Sequence, residues 1–331
     1  MVSEDRSLAN PLPDTEPRAT SMRFRDLDEL AASNGVLDAE YLQLGSNPIE
    51  AQVLRVSLDR LVLMRGAENV AHVARMSGPP DISALVLQLN SAGTTVWRGR
   101  EVNERTLVSY QPGSEHVGHS TGGMVWTAIF CKSVVLDDAA RMLRGVEPAQ
   151  SLATSAFAEP PPAALATLRD ALQQAFFIAE AAPHVLESPA TRRAFEESIL
   201  KAAIDAVDPQ GDRAAPDGPK FSHERVVRRA EDALADKLDA PIYVADLCDR
   251  AGVSERTLRN AFQSLYGMSP IRFIQLRRLH QVRRALRSGA LGSVTEAALR
   301  YGFGNLGRFA VEYRQLFGES PSRTRRNAGP R

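Results

Sequence analysis

The sequence predicts an α+β multidomain protein, with a β-rich N-terminal region, a helical middle and an all-α C-terminal domain. Three observations carry this. Between Phe24 and Phe130 the chain runs in short apolar bursts separated by turn residues. After Val135 the apolar spacing becomes helical. The last third contains a segment that repeats itself.

The bursts are Val53–Leu58, Leu61–Met64, Ile82–Leu89, Thr94–Trp97, Arg105–Tyr110 and Met124–Phe130. Gly78-Pro79-Pro80, Asn90-Ser91-Ala92-Gly93, Pro112-Gly113 and Gly122-Gly123 punctuate them. Short strands at close, regular spacing predict a β-sandwich or small barrel over residues 23–134. Residues 1–22 are polar and Pro-containing, lack a signal-peptide core, and are expected to form a disordered arm.

Val135–Leu143 reads as a short amphipathic helix, and Ala163–Ala181 and Pro189–Val207 as two longer ones. Their stripes, Leu165, Leu168, Leu172 and Phe176 on one and Phe195, Ile199 and Ala203 on the other, suit either packing within the chain or a dimer interface. Dimerisation is the favoured reading for 135–207. Residues 208–221 have the Asp, Pro and Gly content of a linker. The C-terminal domain then spans 222–326, with a short tail at 327–331.

The formal net charge is zero, but it is unevenly placed. Residues 221–331 hold 20 Lys and Arg against 11 Asp and Glu, a net +9, and residues 1–220 hold 20 against 29, a net −9. A basic terminal domain attracts a polyphosphate partner. The two cysteines, Cys131 and Cys248, are too far apart for a zinc ribbon and too few for a disulfide framework, so both are expected as reduced thiols in a cytoplasmic protein. No apolar run approaches the ~18 residues of a membrane span.

The repeat decides the reading of the C-terminal domain. Phe262-Gln-Ser-Leu265-Tyr266-Gly267-Met-Ser269-Pro270 aligns with Tyr313-Arg-Gln-Leu316-Phe317-Gly318-Glu-Ser320-Pro321, 51 positions later. Val244, Asp246 and Gly252 match Val294, Glu296 and Gly302, 50 positions later. Each copy reads as helix, tight turn, helix. In the first, Val244–Ala251 carries Val244, Leu247, Cys248 and Ala251 on one face, Gly252 supplies a positive φ, and Ser254 caps the helix Glu255–Tyr266. In the second, Ser293 caps a short helix, Glu296 completes a capping box, and Leu306–Phe317 follows the turn Gly302-Phe303-Gly304. Pro270–Arg287 joins the copies as one stiff helix studded with Arg272, Arg277, Arg278, Arg283, Arg284 and Arg287.

A helix pair with an exposed second helix fits the ~12 Å major groove of duplex DNA, and two pairs on a rigid connector reach successive grooves. Arg256, Arg259 and Asn260 on the first such helix, and Asn305 and Arg308 on the second, are the candidate base readers. Ser254, Thr257, Arg278 and Arg314 are the candidate phosphate contacts.

These elements resemble the DNA-binding domain of the AraC/XylS family of bacterial transcription regulators. The likeness rests on the Leu247-Cys248-x-x-Ala251-Gly252-x-Ser254 run, Gly267-x-Ser269-Pro270, Ala298-x-x-x-Gly302-Phe303, Phe309-x-x-x-Tyr313 and Phe317-Gly318-x-Ser320-Pro321. Cys248 stands where the family usually has Ala, and Gly307 where Ser is common. The resemblance implies tandem homeodomain-like units and an N-terminal cupin-like β-barrel that takes a small-molecule effector. It also implies helices that pair two chains, and double-stranded DNA and RNA polymerase as partners, with no cofactor, no metal and no catalytic residue. Trp97-x-Gly99 through Tyr110-x-Pro112-Gly113-x-x-His116 is similar to the corresponding region of such regulators. Trp97, Tyr110, His116 and Trp126 are therefore candidate effector contacts, with Arg75 an anchor for an anionic ligand. The alternative is a cupin-type metal-dependent enzyme fused to a DNA-binding domain. It would need His72, Glu115, His116 and His119 to converge, and the sequence has no His-x-His pair.

Overall fold

The computed structural model describes residues 18–144, 156–207, 219–236 and 243–327. Twelve strands form the N-terminal region: β1 (Ala19–Phe24), β2 (Asp38–Gln43), β3 (Ala51–Ser57), β4 (Leu61–Glu68), β5 (His72–Ser77) and β6 (Ile82–Ser91) come first. β7 (Thr95–Trp97), β8 (Arg100–Val102), β9 (Leu107–Tyr110), β10 (Glu115–Ser120), β11 (Met124–Lys132) and β12 (Phe157–Ala158) complete the set. Helix α1 (Leu27–Ser33) bridges β1 and β2, its N-cap Asp26 accepting backbone N–H groups of Asp28 and Glu29.

Every pairing is antiparallel. The strands make two sheets and do not close into one barrel: β1-β3-β4-β11-β6-β9-β12 (sheet A) and β2-β5-β10-β7-β8 (sheet B). Each expected burst became a strand. β1 begins inside the stretch expected to be a disordered arm, because Ala19–Phe24 pairs with Ala51–Val56; residues 1–17 lie outside the described residues.

Period-2 alternation sorts sheet A. Val62, Met64, Ala84, Ala128 and Phe130 point toward sheet B, whereas Leu61, Leu63, Leu85, Leu87, Ile129 and Cys131 point the other way. The outward set packs on α2 (Ser133–Arg144), α3 (Pro162–Ala181) and α4 (Pro189–Ala206). Leu165, Leu168, Leu172, Phe176, Ile199 and Ala203 are buried there within the chain. The stripes read as a dimer surface are thus taken up by intramolecular packing, because sheet A offers an apolar face that needs covering. Glu196, buried on α4, accepts the Arg60 guanidinium at 2.8 Å and the backbone N–H of Leu61. Burial pushes the Cys131 thiol up to about 12, so it stays protonated.

The C-terminal part is helical: α5 (Pro219–Asp236), α6 (Val244–Ala251), α7 (Glu255–Tyr266), α8 (Pro270–Ser288), α9 (Val294–Arg300), α10 (Leu306–Phe317) and α11 (Pro321–Asn327). One core gathers Leu247, Leu258, Phe262, Leu265, Phe273, Leu279, Phe309 and Tyr313, and it extends into Leu42, Val73 and Val117 of sheet B. The molecule is therefore layered: helices, sheet A, sheet B, C-terminal helices.

Candidate nucleic-acid interface and adjoining cavity

The two helical units have the turns the repeat demanded. Gly252 has φ +68° and Gly302 φ +84°, left-handed values at which a Cβ is strained. Ser254 Oγ accepts the Thr257 N–H at 3.3 Å and Ser293 Oγ accepts the Glu296 N–H at 3.0 Å. The capping box differs in detail: the Glu296 carboxylate takes the N–H of Gly292 rather than that of Ser293. In the first unit Asp246 reaches back to the Tyr243 N–H at 2.9 Å, a cap the sequence reading lacked.

On α7, Leu258, Ala261 and Phe262 are buried while Arg256, Thr257, Arg259 and Asn260 are exposed. Arg259 is held by Glu255 at 2.7 Å, a pair exposed on both sides. On α10, Arg308 and Arg314 are exposed. Asn305 is the N-cap of α10, its Oδ1 accepting the Arg308 N–H at 2.9 Å, and the Arg308 guanidinium lies on Glu312 at 2.8 Å. Ser254 and Thr257 hydroxyls hydrogen-bond each other at 3.0 Å across the α7 cap. Arg278 is half-buried beneath Gly302, where a Cβ would lie 3.2 Å from the guanidinium carbon, and burial lowers its pKa. The structure thus brings Arg256, Arg259 and Asn260 together on one exposed face. Ser254 has the capping role expected of it, and Asn305, expected as a base reader, also caps its helix.

Four arginines of α8 turn away from that face toward the N-terminal region. Arg277 lies 3.6 Å from Glu40, Arg283 3.4 Å from Asp26, and Arg284 2.7 Å from Asp28 and 3.1 Å from Glu40. Arg287 pairs with Asp26 and, at 3.1 Å, with Glu29. Burial pushes Glu40 up, but Arg277 and Arg284 together hold it below the usual carboxylate range. Sheet B contributes Arg98 to Glu224 at 2.6 Å and the His119 Nδ1–H to the Leu265 carbonyl at 3.0 Å. The His280 Nε2–H donates to the Gln43 carbonyl at 3.1 Å, and burial draws that imidazole down to about 4.

Arg75 belongs to this interface. It reaches Glu115 at 3.0 Å and the buried Glu231 at 3.7 Å. It does not line the cavity between the sheets, so its expected role as an anion anchor there is corrected: residues 73 and 75 of β5 face the helices, and 72, 74 and 76 face the cavity. That cavity, about 70 Å³, is lined by both sheets. Trp97, Tyr110 and Trp126 line it as expected. His116 sits behind them, stacked on Tyr110 at 3.8 Å with Nε2 2.7 Å from Ser114 Oγ, and burial takes it down to about 3. Tyr41, Glu68, His72 and Gln88 also line the cavity and were missed. Strand parity was the available signal, since Gln88 continues the inward series Ile82, Ala84, Val86.

His116 and His119 face opposite sides of β10, so the imidazoles a metal enzyme would need do not converge. Among the described residues no group of three or more His, Cys, Asp or Glu is placed to hold a metal ion. No described helix is long and apolar enough to cross a membrane.

Comparison with known proteins bears on the helical part. Residues 247–327 match the model of a helix-turn-helix domain. The chain is 41% identical over 106 residues to a probable thc operon regulatory protein of Rhodococcus erythropolis, covering 31% of this chain and 32% of that one. It is 33% identical over 151 residues to the XylDLEGF operon transcriptional activator of Pseudomonas putida, covering 45% and 46%. The match spans about a third to a half of the length of these relatives. A crystal structure of a probable AraC family transcriptional regulator from Rhodopseudomonas palustris CGA009 aligns at 40% identity and TM-score 0.30, over 32% of this chain and 98% of that one. The AraC-like transcriptional activator CuxR aligns at 15% identity and TM-score 0.43, over 81% and 96%. The C-terminal third of this chain is an AraC-type helix-turn-helix domain, the kind that AraC/XylS regulators carry.

Proposed function

We propose that the chain is a sequence-specific DNA-binding transcription regulator controlled by a small molecule in the cavity of its N-terminal domain. The observation that carries the DNA-binding part is the duplicated helix-turn-helix, with Arg256, Arg259 and Asn260 exposed together on the first turns of α7. Arg pairs with guanine O6 and N7, and Asn with adenine N6 and N7. Thr257 and Arg314, exposed beside these helices, serve the phosphates, with Ser254 ordering the α7 terminus and Arg278 supporting the second turn.

Control by a ligand is supported by sheet B, which is a shared wall. Along β5, β7 and β10 alternate side chains face the cavity and α5–α8. A ligand that moves Trp97 moves Arg98, the partner of Glu224 on α5, through one peptide unit. The relatives named as transcriptional activators favour RNA polymerase as a further partner and a cytoplasmic site of action. A second copy of the chain would be met through the outer surface of α2–α4, whose inner stripes are already covered.

The test is binding of the full-length chain to promoter DNA near its own gene across a salt series. A steep fall in affinity with salt is expected, because each phosphate neutralised releases counterions. Binding that is absent, or indifferent to salt, defeats the proposal.

A further inference from the structure

The cavity between the sheets has a one-sided chemistry. Among the described residues no Lys or Arg lines it, and the one carboxyl that does is Glu68 on β4. A second, open groove that holds Arg23 and Arg25 shares only Glu68 and Met124 with it. Glu68 Oε2 accepts the Trp126 Nε1–H at 2.9 Å. Its Oε1 lies 3.9 Å from His72 Nε2, beyond hydrogen-bond reach. The His72 Nδ1–H donates to the Val70 carbonyl at 3.1 Å, and burial holds the ring neutral, so Nε2 is a bare lone pair with no proton to offer a carboxylate. Among the described residues Glu68 is thus a buried acid without a cation in hydrogen-bond reach.

Two more polar groups are left over. Trp97 Nε1 and Gln88 Oε1 are both buried and unpartnered. Buried polar atoms ordinarily find partners, and a donor and an acceptor left open on opposite walls of one cavity are what a ligand would satisfy. The walls themselves are flat. A Cβ at Gly66 would lie 2.3 Å from the Trp126 indole, and one at Gly118 2.2 Å from that of Trp97. Only glycine lets each indole lie against the backbone of its paired strand, leaving a slot between sheets. By the measure that gives about 70 Å³, one water needs ~10–15 Å³, so the slot has room for a single ring with a short substituent.

We propose that this slot takes a one-ring organic amine, its cationic nitrogen seated on Glu68 and its ring between the Trp97 and Trp126 walls, and that it rejects aromatic carboxylates. The proposal rests on the reading of the cavity as the effector site and names the ligand class for it. Aromatic walls with one carboxyl group favour an ammonium group, and an arene carboxylate would be buried there with no described Lys or Arg to balance its charge. Burial pushes Glu68 up to about 8, so it is protonated at neutral pH. An arriving ammonium displaces that proton. The titratable neighbours, His72 on β5 and Tyr41 on β2, are both kept neutral by burial, leaving Glu68 to set the pH response.

The experiment uses the full-length protein and three probes of equal size: benzylamine, benzyl alcohol and benzoate. The only two tryptophans of the chain, Trp97 and Trp126, both line the slot, so intrinsic fluorescence reports on it directly. Benzylamine is expected to bind at least about tenfold more tightly than benzyl alcohol, and benzoate more weakly than either. Benzylamine affinity should rise between pH 6 and 8 while that of benzyl alcohol stays flat. Glu68→Gln, an isostere of the protonated acid, should cut the preference for benzylamine to about threefold or less and abolish its pH response. Should that variant fail to fold, the wild-type pH series decides alone. Benzoate binding most tightly, or no quenching by benzylamine, overturns the ligand class. The effector reading is judged separately, by whether any probe that does bind changes DNA affinity; a bound probe without such a change overturns it.

Discussion

Arg256 is exposed on the first turn of α7, where the Ser254 and Thr257 hydroxyls bind each other and Leu258 is buried, so it is placed to work outward. Its replacement by Ala should relax preference at one or two base pairs, at about 1–3 kcal/mol of discrimination each, while binding to unrelated DNA changes little. Site selection from random DNA on both proteins checks this; equal loss on every sequence would mark a phosphate contact instead. Arg259 starts paired to Glu255, but both partners are exposed and such a pair is worth little, so it can leave for a base at small cost. Glu68 makes a prediction of a different kind. Its folded value, about 8, lies above its ordinary 4.5, so its contribution to stability is complete in acid and is lost as pH rises through 8. The melting temperature of Glu68→Gln should therefore match wild type near pH 5 and exceed it progressively toward pH 9. A constant difference across that range would show Glu68 to be unshifted.

Elements differ in how much of their surface is left for DNA. α7 presents Arg256, Arg259 and Asn260, whereas α10 opens with Leu306 and Gly307 behind an Asn305 already used as its cap. Arg308 on α10 is engaged by Glu312, which also accepts from Gln275 of α8. The footprint should be asymmetric, one strongly specified major-groove segment with a weaker one about a helical turn away. Two segments of equal information content in selected sites would refute it. Asn305 separates cap from reader. Asn305→Ser keeps an oxygen for the Arg308 N–H and should leave stability and DNA preference near wild type, while Asn305→Ala should cost about 1 kcal/mol in chemical denaturation. A change of base preference in the Ser variant would instead show that Asn305 reads DNA.

Across the whole molecule, the acidic and basic halves meet. Asp26, Asp28, Glu29 and Glu40 face Arg277, Arg283, Arg284 and Arg287, and Leu42, Val73 and Val117 enter the core of the helical domain. Two domains joined by a shared core and a patch of ion pairs should unfold as one unit. Asp26→Asn with Asp28→Asn leaves arginines half-buried and short of partners, which destabilises the contact more than its net strength suggests. Calorimetry should show one transition for wild type and two for the double variant, with faster hydrogen exchange in β2 and the C-terminal half of α8. A single transition in the variant would mean that apolar contact alone holds the domains.

The helices of the two repeated units and the helix that joins them were determined by the sequence itself. Local signals agree there: the i, i+3, i+4 spacing of Leu258, Ala261 and Phe262, the Ser caps and the Gly turns all act within a few residues, and a repeat displays them twice. In sheet A, β3, β4, β6, β9 and β11 were equally legible, because one face lies on helices and the other on the inter-sheet core, both apolar, whereas the edge strands β1 and β12 were not. Sheet B was not. β2, β5 and β10 carry Glu40, His72, Arg75, Glu115, His116 and His119, and nothing in one strand says that its charges will be met by another domain. Whether Arg75 lines a cavity or pairs with Glu231 depends on strand register and on the docking of α5, partners 156 positions apart in the chain. The same holds for the stripes of α3 and α4, which sheet A covers, and for Glu68, whose missing cation appears only once both sheets are in place. Local spacing selects which face of an element is apolar. What that face meets, and which charges are left without partners, is settled only by long-range packing.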